Sequence, residues 1–114
     1  MRLTRGTLVL VGLDPTFGHE QRGARPCVVV SDPDVTDDQR YPVLCVVPVT
    51  STPGRGALYP PIEAGSGGLT RRSFALLDQI RSVDKRRIGR IFGKIAPGEL
   101  ASLDEGLRLF LGLR

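Results

Sequence analysis

One segment concentrates groups able to do chemistry. It runs Asp14-Pro15-Thr16-Phe17-Gly18-His19-Glu20-Gln21 and continues at once into Arg22-Gly23-Ala24-Arg25-Pro26. It holds the chain's only histidine, a glutamate, an amide and two guanidiniums between the apolar runs Leu8–Leu13 and Cys27–Val30. Imidazole and carboxylate groups move protons, and a guanidinium fork grips two phosphate oxygens at once. Polar groups at this density seldom serve packing, because loops lie on the surface and the flanking scaffold fixes them.

The elements around this loop read mainly as strand. Thr7–Leu13, Pro26–Ser31 and Val43–Thr50 are rich in β-branched residues and bounded by Gly, Pro and Asp. Weaker strands are expected over 57–62, 73–81 and 90–95. Pro42, Pro48, Pro60 and Pro61 cannot donate to a ladder and mark edges, bulges or ends. Several short strands with no long crossover helix between them suggest a small barrel. A helix closes the chain: Pro97 suits its first turn, Glu99 and Arg108 complement its dipole, and Leu100, Leu103, Leu107 and Leu111, beside Phe110, form one apolar stripe. That stripe is expected to pack on the barrel. A short helical turn is expected near 84–87, and 32–40 reads as an acidic mobile loop.

With 114 residues, residues 1–114 are expected to form a single domain. The net charge is +4, and only Lys85 and Lys94 among the cations are lysines. An arginine-rich surface permits a nucleic-acid partner without requiring one, since codon bias yields the same skew. The N-terminal apolar run is too short for a signal core or a membrane span, so a cytoplasmic location without membrane association is expected. Cys27 and Cys45 lie inside apolar runs and read as buried free thiols. One histidine and two distant cysteines lack metal-ligand spacing, so no metal or other cofactor is expected. The glycine-rich stretches 52–56 and 64–68 lack the Gly-Lys-Ser/Thr ending of a phosphate-binding P-loop.

Four motifs in order resemble the MazF/PemK-like toxins: Gly18-His19-Glu20-Gln21, Arg25-Pro26 before a valine run, Pro48-Val49-Thr50-Ser51, and Leu77-Asp78-Gln79-Ile80-Arg81-Ser82. Arg5-Gly6 and Leu13-Asp14-Pro15 fit the same pattern, so the resemblance spans about Arg5 to Leu113. It implies an SH3-like barrel, of the kind shared with CcdB and PemK, carrying a C-terminal helix. It implies a homodimer that cuts single-stranded RNA at short sequences without a metal, leaving a 2′,3′-cyclic phosphate and a 5′-hydroxyl. A cognate antitoxin would thread over the toxin and block the RNA groove.

Such cleavage needs a deprotonated 2′-hydroxyl, a protonated leaving 5′-oxygen and stabilised charge on the phosphate. Arg25 suits the last role, and Thr50 suits a hydrogen bond to the phosphate or the 2′-oxygen. The resemblance points to this pair as central. The general base is open among Glu20, His19 and Asp78. Some relatives use the glutamate; others use the histidine with the aspartate and an arginine two positions before it, where this chain has Leu76. Substrate contacts are expected from Gln21, Phe17, Ser51, Arg55, Gln79 and Arg81, the last two alternating on one strand and facing one side.

Bland readings stand beside these. Arg25 bridges a carboxylate such as Glu20; Thr50 is an ordinary strand-end threonine; His19 and Gln21 hold the loop through backbone hydrogen bonds; Asp78 is a structural acceptor for that loop. Two further departures from the family pattern are Thr7 where an acidic residue is common, and Leu8-Val9-Leu10-Val11 where an aromatic is common. With no tryptophan, Phe17, Tyr41, Tyr59 and Arg55 are the stacking groups left for unpaired bases. Two other functional classes remain at this stage: a CcdB-like gyrase poison and a non-catalytic SH3-like nucleic-acid-binding module.

Overall fold

The computed structural model describes residues 3–113. Seven strands form a strongly bent sheet: β1 (Thr7–Gly12), β2 (Ala24–Val29), β3 (Val43–Thr50), β4 (Pro61–Ile62), β5 (Ser73–Ala75), β6 (Arg81–Asp84) and β7 (Ile88–Lys94). Their order is β4-β5-β3-β2-β1-β7, with β6 also paired to β3, and every pairing is antiparallel. The path β7-β1-β2-β3-β6 curls into a half-barrel, and a 3-10 turn at Lys85–Arg87, capped by the Asp84 carboxylate, joins its two outer strands. Helix α2 (Pro97–Leu111) closes one face. The expected SH3-like barrel with a C-terminal helix is borne out.

Both faces of the central strands are buried, which explains why Leu8–Leu13 and Cys27–Val30 are continuous apolar runs rather than alternating ones. On the inner side Val9, Val11, Cys27, Val29, Leu44, Val46 and Val83 pack together. On the other side Leu8, Val28, Val47, Val49 and Leu77 meet Leu103 and Leu107 of α2. Leu100 joins them only in part, while Phe110 and Leu111 remain exposed, so the helical stripe leaves the sheet after Leu107.

Strand β3 positions the functional region by changing partners along one edge. Val43–Val46 pair with β6, whereas Val49 and Thr50 pair with β5. The change happens at Pro48, whose missing N–H leaves a gap in the ladder. Opposite that gap the chain leaves β5, turns through a 3-10 segment at Leu77–Gln79 and re-enters as β6. The single strand expected over 73–81 is therefore two strands around a turn, and Gln79 and Arg81 do not alternate along one strand. The strand expected over 57–62 shrinks to Pro61–Ile62, because Pro60 and Pro61 supply no donors. The 32–40 loop contains a short helix, α1 (Pro33–Thr36), capped by Asp32. Cys27 is a buried free thiol as expected, but Cys45 is only half-buried.

Two contacts fix α2. The Glu99 carboxylate accepts hydrogen bonds from the Ala96 and Glu63 amides, at 3.1 and 2.7 Å, and from the Ser66 hydroxyl. Burial alone raises the carboxyl's pKa, but the Ser66, Glu63 and Ala96 hydrogen bonds outweigh it and leave the value lowered. A lowered native pKa means stability present above the unfolded carboxylate value of about 4.3 and lost as pH falls through the folded value. Glu99→Gln is accordingly expected to lower the melting temperature at pH 7 and to flatten the acid limb of the stability profile, measured by thermal denaturation across pH.

Gly106 is the second contact. A Cβ there would stand 2.2 Å from Leu77 Cδ1 and 2.5 Å from the Ala57 carbonyl oxygen. Glycine-to-alanine exchange inside a helix ordinarily gains about 1 kcal/mol. Here the backbone oxygen cannot swing away, and overpacking of this kind costs roughly 1–3 kcal/mol. Gly106→Ala is expected to lower stability by a net amount of up to about 2 kcal/mol, read from chemical denaturation. No described helix is long and apolar enough to cross a membrane.

Candidate functional site

The loop between β1 and β2 is fastened at base and rim. At its base the Leu13 amide donates to Gly23 O at 2.9 Å, with Gly23 at φ +68, a conformation glycine adopts without penalty. Arg81 Nη1 donates to Leu13 O at 3.0 Å, and Arg87 Nη1 donates to Gly12 O at 3.0 Å and to Asp14 O. At the rim the Gln79 side chain accepts from the Gln21 amide at 2.9 Å and donates to His19 O at 3.2 Å. Within the loop Glu20 Oε1 accepts from the Phe17 amide at 2.5 Å, while the Glu20 amide donates to Phe17 O at 3.1 Å. Among the described residues the second Glu20 oxygen has no hydrogen-bond partner.

Two hollows lie side by side along β3. The first, about 130 Å³, is lined by Leu13, Glu20, Gln21, Pro48, Asp78 and Gln79, with Ile80 and Arg81 at its edge. The second, about 200 Å³, is lined by Arg25, Thr50, Ser51, Thr70, Arg71 and Ser73 over a floor that includes Pro26, Val49 and Leu69. Strand register explains the second grouping. Cys27 lies opposite Pro48, so two residues further along Arg25 comes opposite Thr50. The structure thus brings Arg25, Thr50 and Ser51 together, and gathers Glu20, Gln21, Asp78, Gln79 and Arg81 next door. His19 and Phe17 stand exposed on the loop, Phe17 at 81% of its surface, and Arg55 is exposed outside both hollows.

Bond by bond, several bland readings can be judged. Arg25 does not bridge Glu20; its Nε donates to Arg22 O at 3.0 Å. Among the described residues its two terminal nitrogens are uncommitted, an arrangement suited to gripping a phosphate. Thr50 Oγ1 accepts from the Thr52 amide at 3.2 Å and keeps its proton for donation. Asp78 is not an acceptor for the 14–23 loop; it accepts from the Tyr59 hydroxyl at 2.6 Å. That bond is the first cause of the raised Tyr59 pKa. Gln79 performs the loop-holding role. Cys27, buried in the core opposite Pro48, is no nucleophile: burial pushes its thiol up to about 12, against a weaker opposing pull from Arg81, and Sγ lies 3.6 Å from Arg25 O.

Two contributions to the site have no local signal in the sequence. Tyr59 was visible only as a stacking aromatic, and its bond to Asp78 spans nineteen positions. Arg71 belongs to no motif and reaches the hollow only because β5 pairs with Thr50.

Comparison with known proteins agrees with this architecture. The family described as PemK-like, MazF-like toxin of type II toxin-antitoxin system matches residues 4–111. Endoribonuclease MazF9 of Mycobacterium tuberculosis is 38% identical over 117 residues, covering 97% of this chain and 98% of its own. The crystal structure of MazF from Deinococcus radiodurans superposes with a TM-score of 0.82 at 28% identity, over 96% of each chain. An endoribonuclease from Mycobacterial species, solved in complex with its cognate antitoxin, shares the fold at a TM-score of 0.81 and 19% identity, over 97% of this chain and 96% of its own. The chain belongs to the PemK-like, MazF-like toxins of type II toxin–antitoxin systems.

Proposed function

We propose that this protein is a toxin endoribonuclease that cuts single-stranded RNA at short sequences, works without a metal, and leaves a 2′,3′-cyclic phosphate and a 5′-hydroxyl. The observation that carries this reading is the shared hollow of Arg25 and Thr50, with an uncommitted guanidinium and a hydroxyl at one place. Arg25 takes two oxygens of the scissile phosphate and stabilises the charge that grows there. Thr50 donates to a phosphate or 2′-oxygen. Glu20, with one oxygen free beside this hollow, is the base for the 2′-hydroxyl. Asp78, held by Tyr59, and exposed His19 flank the path. Gln21 offers its side-chain amide to base edges, while Gln79, whose amide is engaged with Gln21 and His19, holds the loop that presents it; Arg81 and Ser51 stand at the margins, and Phe17 and Arg55 are available to stack on unpaired bases.

The chain works as a single domain in the cytoplasm, as a homodimer, and a cognate antitoxin silences it by occupying the RNA groove. The first test is incubation with a long, mixed-sequence RNA in EDTA, followed by mapping of the new ends. Recurrent breaks with 5′-hydroxyl ends support the reading. Intact RNA at high protein concentration sinks it and turns attention to gyrase inhibition.

A further inference from the structure

Arg71 and Arg72 are neighbours with different employment. Arg72 is committed twice: its Nε donates to Glu63 at 2.9 Å, and its guanidinium lies 5.3 Å from the Phe74 ring centroid. Among the described residues Arg71 has no ion pair and no side-chain hydrogen bond, yet it lines the hollow that holds Arg25 and Thr50. Its backbone is fixed on both sides. The buried Ser73 hydroxyl donates to Arg71 O at 3.0 Å, and Leu69, packed partly into the core, exchanges backbone hydrogen bonds with Gly65 and Ser66. An arginine held in place by its backbone, with its charge unspent, is poised for an anion.

The hollows define an order along β3. Glu20, Gln21, Asp78 and Gln79 line the hollow on the Pro48 side, and Arg25, Thr50 and Arg71 line the other together. A nucleic-acid strand crossing this path with its reacting phosphate on Arg25 carries a second phosphate past the scissile one. We infer that Arg71 is a positioning residue that grips the phosphodiester next to the scissile phosphate and so holds the strand in register for cleavage. The inference rests on the reading of Arg25 and Thr50 as the scissile-phosphate site.

The test uses a short synthetic RNA spanning the break that the long RNA shows most often, with Arg71→Ala, Arg71→Lys, Arg72→Ala and Arg25→Ala compared under identical salt. Arg71→Ala is expected to raise KM about tenfold with kcat nearly unchanged, the loss of one charge-assisted contact made equally in the ground and transition states. It is also expected to lower the slope of log affinity against log salt by about 0.7, the share of one single-strand phosphate, measured with the same RNA made uncleavable by a 2′-deoxy sugar at the break. Arg71→Lys recovers most of both effects, and Arg72→Ala changes neither. Replacing the flanking phosphate by a neutral methylphosphonate reproduces the KM effect in the wild type and abolishes the effect of Arg71→Ala. An unchanged KM and salt slope in Arg71→Ala, or a loss confined to kcat, overturns the inference while leaving the function intact. Normal cleavage by Arg25→Ala overturns the site reading itself.

Discussion

Arg25→Ala is expected to lower kcat about 1,000-fold, close to 4 kcal/mol of transition-state stabilisation, with KM changed far less. The expectation follows from where charge develops. Attack of the 2′-oxygen spreads negative charge over the phosphate oxygens, and a group that meets that charge stabilises the transition state more than the bound substrate. Among the described residues Arg25 is held only through Nε, so both terminal nitrogens are available to meet that charge. Thr50, with a single hydroxyl, contributes less, and Thr50→Ala is expected to cost a smaller factor. Arg25→Lys separates charge from geometry: lysine keeps the cation but lacks the planar fork, so it restores only a minor part of the rate. Single-turnover cleavage of the mapped RNA, with protein in excess, measures all three variants without interference from product release. Equal losses in Arg25→Ala and Arg25→Lys would place the fork above the charge; full rescue by lysine would place the charge above the fork.

The fold was legible in the sequence where one segment carries its own instructions. Strands β1, β2 and β3 fall within two residues of the expected bounds, because β-branched runs ending at Gly, Pro and Asp specify strands locally. The helix start at Pro97 and the turn at Lys85–Arg87 were visible for the same reason. The break in 73–81 was not, since Ser73-Phe74-Ala75-Leu76-Leu77 reads as one strand and the cause of the break, Pro48, sits on the partner strand. The site divides in the same way. Arg25 and Thr50 were visible as members of ordered motifs. The bond from Tyr59 to Asp78 and the approach of Arg71 arise from pairings between distant segments, which no local pattern records.

That division makes the Leu77–Gln79 turn the place where packing and chemistry meet. Leu77 is fully buried against the α2 side of the sheet, directly under Asp78 and Gln79. Its amide donates to Leu58 O at 3.0 Å, and its Cδ1 fills the space that Gly106 leaves open. Leu77→Ala is expected to cost about 3 kcal/mol, within the usual 2–5 for a buried leucine, and to lower the melting temperature by roughly 10 °C. Leu103→Ala, equally buried on the helix, is expected to cost a similar amount. The two differ in what lies above the cavity. Relaxation around Leu77 moves Gln79, which ties His19 and Gln21 at the loop rim, and moves Asp78 away from Tyr59. At 10 °C, where both variants remain folded, Leu77→Ala is expected to lose about tenfold in kcat/KM through misplacement of the loop, while Leu103→Ala stays near wild type. Equal activity in the two variants would show that the turn keeps its shape through its own hydrogen bonds, and that the leucine beneath it serves stability alone.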